Sequence, residues 1–399
     1  MTQDLPSRRI AAVQAVHARL QSFFDEARYF ERYGDPRYLF MAMGDPHELP
    51  PEGFVEAIRE KLTPERPDWF AYKTSVPAAQ EAVARSLDEW RGLPFVPEDI
   101  AITTGAFGAI AAAFTALLDP GDEAIISLPP WFSYEPMLVA RSAVPVKVPT
   151  RPDFDLDLEA IERAITENTR LVIVNTPNNP TGRVYPPETL EALAAILTRA
   201  SRRIGRTIFI LADEPYARLV FDGRAFPSPS AYYPNTLITY SYGKVLLTPG
   251  QRLGWLALPP TMPEDTRAAL RTAILLAQVA NGFGFPNAVM QYALPALDRL
   301  SIDLDVFQRR RDRLVSALRA AGYELHVPEG TFYLLPKSPI SDDRAFCRRL
   351  GERGLYVLPG WVCEAPGRFR VVFTASDEMI ERAIPIFAEV MAEVMVEVK

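Results

Sequence analysis

The residues best suited to chemistry stand at the ends of apolar runs. Ser241-Tyr242-Gly243-Lys244 closes one such run, and Arg252 follows eight positions after the lysine. A lysine at a strand end projects into the crevice where open α/β sheets bind ligands, and its amine condenses with an aldehyde to a Schiff base. A hydroxyl on one side and a guanidinium on the other suit a phosphate dianion, the guanidinium through its fork of donors. Taken alone, Lys244 reads more readily as a solvated loop lysine, because lysine is seldom buried.

Asp213-Glu214-Pro215-Tyr216 closes the run Ile208-Phe209-Ile210-Leu211. An aspartate there can hold a ring nitrogen protonated and make the ring an electron sink, while Tyr216 can donate to a ring phenolate. In isolation the acid pair is more often a helix N-cap with first-turn acids. Asn175-Thr176-Pro177-Asn178-Asn179-Pro180-Thr181-Gly182 forms a rigid turn after a third run, and Asn179 can aim its amide at the same phenolic oxygen. The other reading is an ordinary Asn-Pro turn. Thr103-Thr104-Gly105-Ala106-Phe107-Gly108-Ala109 opens an apolar helical stretch to Leu118. Small residues there let backbone N–H groups face a phosphate, or simply make a glycine turn into a core helix.

Groups drawn from several strand ends need one sheet to hold them. Ala124-Ile125-Ile126-Ser127-Leu128, Leu171-Val172-Ile173-Val174, Ile208–Leu211 and Leu237-Ile238-Thr239 are short apolar runs, and a helical run from Glu188 to Ala200 lies between the second and third. Continuous apolar strands alternating with helices predict an α/β core with a mostly parallel sheet. The pattern changes after about 285. An amphipathic helix from Leu304 to Ala321 leads to short strands near 331–335, 355–358 and 368–373, which predicts a smaller α+β domain. The first 40 or so residues have helical spacing. A formal net charge of -7, from 43 basic and 50 acidic side chains, argues against a general nucleic-acid surface. The chain has no apolar run long enough for a membrane span and no basic-then-apolar start of a secretory signal. Two cysteines, Cys347 and Cys363, suggest a reducing cytoplasm, and the scattered His17, His47 and His326 suggest no metal site.

In this order along the chain, the motifs resemble the class I/II aminotransferases, the fold-type I pyridoxal-phosphate enzymes that include aspartate aminotransferase. The carriers are Asn179-Pro180-Thr181-Gly182, Asp213-Glu214-Pro215-Tyr216, Ser241-Tyr242-Gly243-Lys244 with Arg252, Arg368-Phe369-Arg370, and Gly44-Asp45-Pro46 near the start. The resemblance implies pyridoxal 5'-phosphate as cofactor, with Lys244, Asp213 and Tyr216 catalytic. It implies a cofactor site of Gly105, Ala106, Phe107, Trp131, Asn179, Asp213, Tyr216, Ser241, Lys244 and Arg252, in which Trp131 stacks on the ring. Gly44, Asn179 and Arg370 would bind substrate, Arg370 by gripping the α-carboxylate. Tyr72 would reach the phosphate of a partner subunit in a homodimer, although Tyr72-Lys73-Thr74-Ser75-Val76-Pro77 lacks the glycine that usually follows. Gly243 is a second departure, standing where a serine often precedes the lysine. The implied division is 1–46 contributing to the small domain, 47–285 as the large cofactor domain and 286–399 as the small domain.

The implied reaction is ping-pong transfer of an amino group from an L-amino acid to a 2-oxo acid, with Lys244 as general base. A lyase or a specialised biosynthetic enzyme is the alternative on the same residues, since fold does not determine function. Phe283, Phe285, Tyr333 and Trp361 are candidate walls for the substrate side chain, and equally candidate core residues. Arg218 is either a distal carboxylate partner or a surface charge. His47 is placed near the substrate entrance without a chemical role.

Overall fold

In the computed structural model, which describes residues 6–283 and 285–397, twelve strands run in chain order: β1 (Leu39–Phe40), β2 (Ile100–Thr103), β3 (Glu123–Ser127), β4 (Val144–Val148), β5 (Thr169–Asn175), β6 (Phe209–Asp213), β7 (Thr236–Ser241), β8 (Gly254–Ala257), β9 (Tyr333–Leu334), β10 (Leu355–Tyr356), β11 (Leu358–Pro359) and β12 (Phe369–Val372). Seven of them form one sheet in the order β2-β8-β7-β6-β5-β3-β4. The strands from β7 to β4 are mutually parallel, and β8 runs antiparallel between β2 and β7.

The central strands are apolar on both faces because helices cover both. Helices Gly105–Leu117 and Glu264–Ala280 join the core on one face with Ile126, Leu171, Ile173 and Leu211. Helices Leu158–Ala164 and Pro187–Ile204 join the core on the other with Ile125, Val172, Val174 and Ile210. Each such side chain taken from water contributes about 1.5–3 kcal/mol. Helix Pro187–Ile204 shows how locally these elements are specified. Proline opens it, Glu188 stands in the first turn, Arg202 and Arg203 in the last, and Gly205 ends it at φ 73°. Its Leu190, Leu193, Ala194, Leu197 and Ala200 are buried at helical spacing.

A three-stranded sheet, β11-β12-β9, is antiparallel throughout. It shares a separate core with helices Leu304–Ala320, Asp343–Glu352 and Asp377–Glu397. The N-terminal helix Arg8–Glu26 is capped by Ser7, whose hydroxyl accepts from the Ile10 N–H at 3.3 Å. After it, β1 pairs in parallel with β10. Helix Ala288–Leu297 packs instead with Pro77–Arg91, β2 and β8. Pairing register then aligns the site: Asn175, Asp213 and Thr239 lie side by side across β5, β6 and β7.

Candidate active site

That register puts an acid under two donors. Thr239 Oγ1 donates to Asp213 Oδ1 at 3.0 Å, and the Tyr134 hydroxyl donates to Asp213 Oδ2. Asn175 Nδ2 donates to the Asp213 carbonyl at 2.9 Å. Asp213 is buried, and burial pushes its carboxyl up from 3.8 to about 6 against the opposing pull of Tyr134 and Thr239. Asp213 stands on the floor of a cavity of about 190 Å³ whose lining includes Lys244, Asn179 and Tyr216.

Ala106, Phe107, Trp131, Ser241 and Arg252 line the same cavity. Lys244 is half-buried, its Nζ 5.7 Å from the centre of the Tyr216 ring. Gly105 opens the helix toward this space at φ 71°, and a Cβ there would come within 3.0 Å of Arg252 Nη2. Both the backbone angle and the space therefore call for glycine. Arg252 Nη1 donates to the Pro249 carbonyl at 2.8 Å and Nη2 to the Thr104 carbonyl at 3.2 Å. Among the described residues no carboxylate pairs with Arg252, and partial desolvation lowers its pKa although the side chain stays open to solvent. Trp131 meets Phe107 edge-on at 4.7 Å and Tyr134 at 5.1 Å. The departure at Gly243 has a steric cause: a Cβ would approach Pro249 Cα to 2.7 Å.

Arg370, on β12 of the smaller sheet, does not line the cavity, and neither does Gly44; Arg370 stands behind Asn179 and Tyr333, which do. Its Nη1 donates to Asn179 Oδ1 at 3.0 Å and Nη2 to the Ala42 carbonyl at 2.7 Å, while its buried Nε has no partner among the described residues. Tyr333 lies beneath it, the guanidinium 4.5 Å from the ring centre. The Tyr333 hydroxyl is 2.9 Å from that of Tyr216 and would touch any Cβ at Gly44, 2.6 Å away. Burial and then Tyr333 push the Tyr216 phenol well up.

Other sequence candidates lie elsewhere. Tyr72 is 92% exposed. Phe283 is exposed, Phe285 half-buried, and neither lines the cavity. Trp361 lines a different cavity. Arg218 is neither a surface charge nor a substrate partner, because it pairs with Asp298 at 2.8 Å in a buried setting that also holds Tyr240 and Tyr242. His47 is half-buried and off the cavity, and burial lowers its pKa. Tyr134, Asn175 and Thr239 were missed by sequence reasoning. Asn175 and Thr239 had the strand-end signal that marked Asp213, and Tyr134 opens a helix three residues after Trp131.

The donor set fits a phosphorylated pyridine aldehyde. It has an amine for the carbonyl, a buried acid for a ring nitrogen, an amide and a phenol for a ring oxygen, and an arginine without a carboxylate beside a helix start for a phosphate. Such a crevice at the carboxyl edge of a parallel sheet defines an amine-handling cofactor enzyme. The sequence profile of Aminotransferase class I and II matches residues 38–387. The chain is 33% identical over 360 residues to the aspartate/prephenate aminotransferase of Thermus thermophilus, covering 88% of this chain and 90% of that one. It is 32% identical over 400 residues to a probable aspartate/prephenate aminotransferase of Thermus aquaticus, covering 98% and 99%. An aminotransferase structure from Eubacterium rectale aligns with a TM-score of 0.90 at 29% identity, covering 98% of this chain and 99% of that one. The chain therefore belongs to the class I and II aminotransferases and is a pyridoxal-phosphate-dependent enzyme of fold type I.

Proposed function

We propose that the chain moves an amino group from an L-amino acid to a 2-oxo acid in two half-reactions at this one cleft. The observation carrying this reading is that Lys244, Asp213, Asn179, Tyr216 and Arg252 open on a single cavity. Pyridoxal 5'-phosphate supplies an aldehyde to carry the amino group and a ring to spread charge. Ser241, Arg252 and the backbone of Gly105, Ala106 and Phe107 would hold its phosphate, Trp131 its ring face, Asn179 and Tyr216 its ring oxygen, and Asp213 its ring nitrogen. Arg370, with Asn179 and the Gly44 backbone, would grip the substrate carboxylate. A buried guanidinium N–H without an acceptor costs about 1–3 kcal/mol, which an arriving carboxylate relieves. Lys244 would take the proton from the substrate Cα and return it, half-buried where water competes little.

The second subunit belongs to the same reading. Val55, Phe70, Tyr72, Leu276 and Val279 are each more than half exposed, apolar surface that a second copy would cover. In that homodimer Tyr72 would reach the partner's phosphate site. Residues 1–46 with 286–399 would form the small domain against 47–285, except that helix Ala288–Leu297 goes with the large one on its packing. A cytoplasmic setting suits two buried free thiols, and among the described residues no helix is long and apolar enough to cross a membrane.

An amino-donor panel tests the reaction. Aspartate as donor and prephenate as acceptor come first because the Thermus relatives bear those names. The expected result is stoichiometric 2-oxo acid from donor alone, with a change in cofactor absorbance that a second 2-oxo acid reverses. Ammonia released in place of that reversible change would sink the reading.

A further inference from the structure

A cavity of about 400 Å³, roughly twice the volume of the cofactor cleft, lies between the N-terminal helix, the turn before β1 and helix Asp343–Glu352. It shares no lining residue with that cleft. Its size falls in the range of small-molecule sites, roughly 300–1,000 Å³. The walls are aromatic and apolar: Phe23, Tyr38, Tyr356, Val357, Pro359 and Trp361. Phe23, Tyr356 and Val357 are buried, so the back of the cavity is built by the fold.

Charge at its edge is unbalanced. Arg32, Arg344 and Arg348 line it with only Glu26 and Glu352 against them. Glu26 serves two arginines, bonding Arg344 and lying 3.7 Å from Arg348. Glu352 also lines it, which leaves one positive charge in excess. Arg32 pairs with no carboxylate among the described residues: its guanidinium donates to the Tyr356 hydroxyl and lies 5.3 Å from the Tyr38 ring centre. Arg344 lies 4.5 Å from the centre of the Trp361 ring. Guanidinium forks set among aromatic faces match a ligand that is both planar and anionic.

We propose that this cavity is a second binding site, for a small planar aromatic carboxylate, and that its occupancy is felt at Arg370. The coupling route is short. Tyr356 accepts from the Met41 N–H at 2.8 Å, and the next residue, Ala42, holds Arg370 Nη2. On the other side Leu358 of β11 pairs with Arg370 itself. A ligand that shifts 38–42 or 356–361 therefore shifts the carboxylate grip.

The test uses cofactor-loaded enzyme and 2-naphthoate as probe, followed by calorimetry and by the KM of the amino donor. One acid per chain with a Kd of about 1 mM or tighter is expected. Arg32→Gln and Arg344→Gln should each weaken it about tenfold. Saturating acid should change the donor KM at least about twofold, and the double variant should lose that change. Unweakened binding in both variants, or a KM effect that persists in the double variant, overturns the proposal. Crystals of the unaltered enzyme grown with the acid give a reading independent of how the variants fold. Density between Tyr38 and Trp361 supports the site, whereas none there overturns it.

Discussion

Burial decides what Asp213 does before any ligand arrives. Its carboxyl titrates at about 6 in the folded chain against an ordinary 3.8. Below the lower value both states are protonated and the group costs nothing. As pH rises from there to about 6 the unfolded chain loses its proton first, so folding stability falls. Above about 6 the whole cost, on the order of 3 kcal/mol, is present. Asp213→Asn should therefore raise the urea midpoint of cofactor-free protein at about pH 7.5 and leave it nearly unchanged near pH 4. Equal gains at both pH values would reject burial as the cause. Lys244 carries the chemistry itself. Lys244→Ala should lower single-turnover transamination by roughly ten-thousand-fold while the protein still binds its cofactor, as read by absorbance of the isolated protein. A variant within tenfold of the parent would remove the lysine from the proton transfer.

At the scale of elements, close approach replaces side-chain chemistry. The turn from β7 into Lys244 passes so near Pro249 that Gly243 has no room for a Cβ. Gly243→Ser should cost about 1–3 kcal/mol through overpacking, measured as a lower Tm, and should displace Lys244. A serine variant of unchanged Tm would show that the turn yields easily. Arg218 does the same kind of service between Asp298, which follows helix Ala288–Leu297, and the segment after β6. Nη1 donates to the Asp298 carbonyl at 2.7 Å and Nη2 to its carboxylate at 2.8 Å. Arg218→Gln takes the cation from a half-buried acid that Tyr242 still holds, and should destabilise the fold by about 1.5–3 kcal/mol in chemical denaturation. The ranking of amino donors should stay the same. A changed ranking would return Arg218 to the substrate site.

Over the whole molecule the site is a joint between two cores. Asp213 ends a strand of the large sheet and Lys244 and Asn179 follow two others, whereas the smaller sheet carries Arg370 and Tyr333. A bond from Arg370 to Asn179 and another between the hydroxyls of Tyr333 and Tyr216 cross between them. The proposed second copy completes the assembly. Sedimentation should give a dimer, and Tyr72→Phe should leave it intact while weakening cofactor binding about tenfold, read by equilibrium dialysis. Unchanged affinity would confine Tyr72 to the interface.

Taken without coordinates, the chain already determined the strands that matter and the groups at their ends. Apolar runs two faces deep must lie in a covered parallel sheet, and residues at their carboxyl ends must share its crevice. That is why Lys244, Asp213 and Asn179 are expected in one crevice, with Arg252 joined to them by its spacing from the lysine, and all four line one cavity. Tyr134 and Thr239 were not legible, because a tyrosine or threonine in an apolar segment looks like core until its hydroxyl is seen to meet an acid; Tyr333, a candidate pocket wall, does line the cleft. The sequence leaves Trp361 and Arg218 each between a pocket and another place in the fold; Trp361 lines the other cavity and Arg218 pairs with Asp298. Which of many aromatic and basic side chains faces a given cavity depends on helix rotation and strand register between distant segments. Only packing of the two cores against each other sets that.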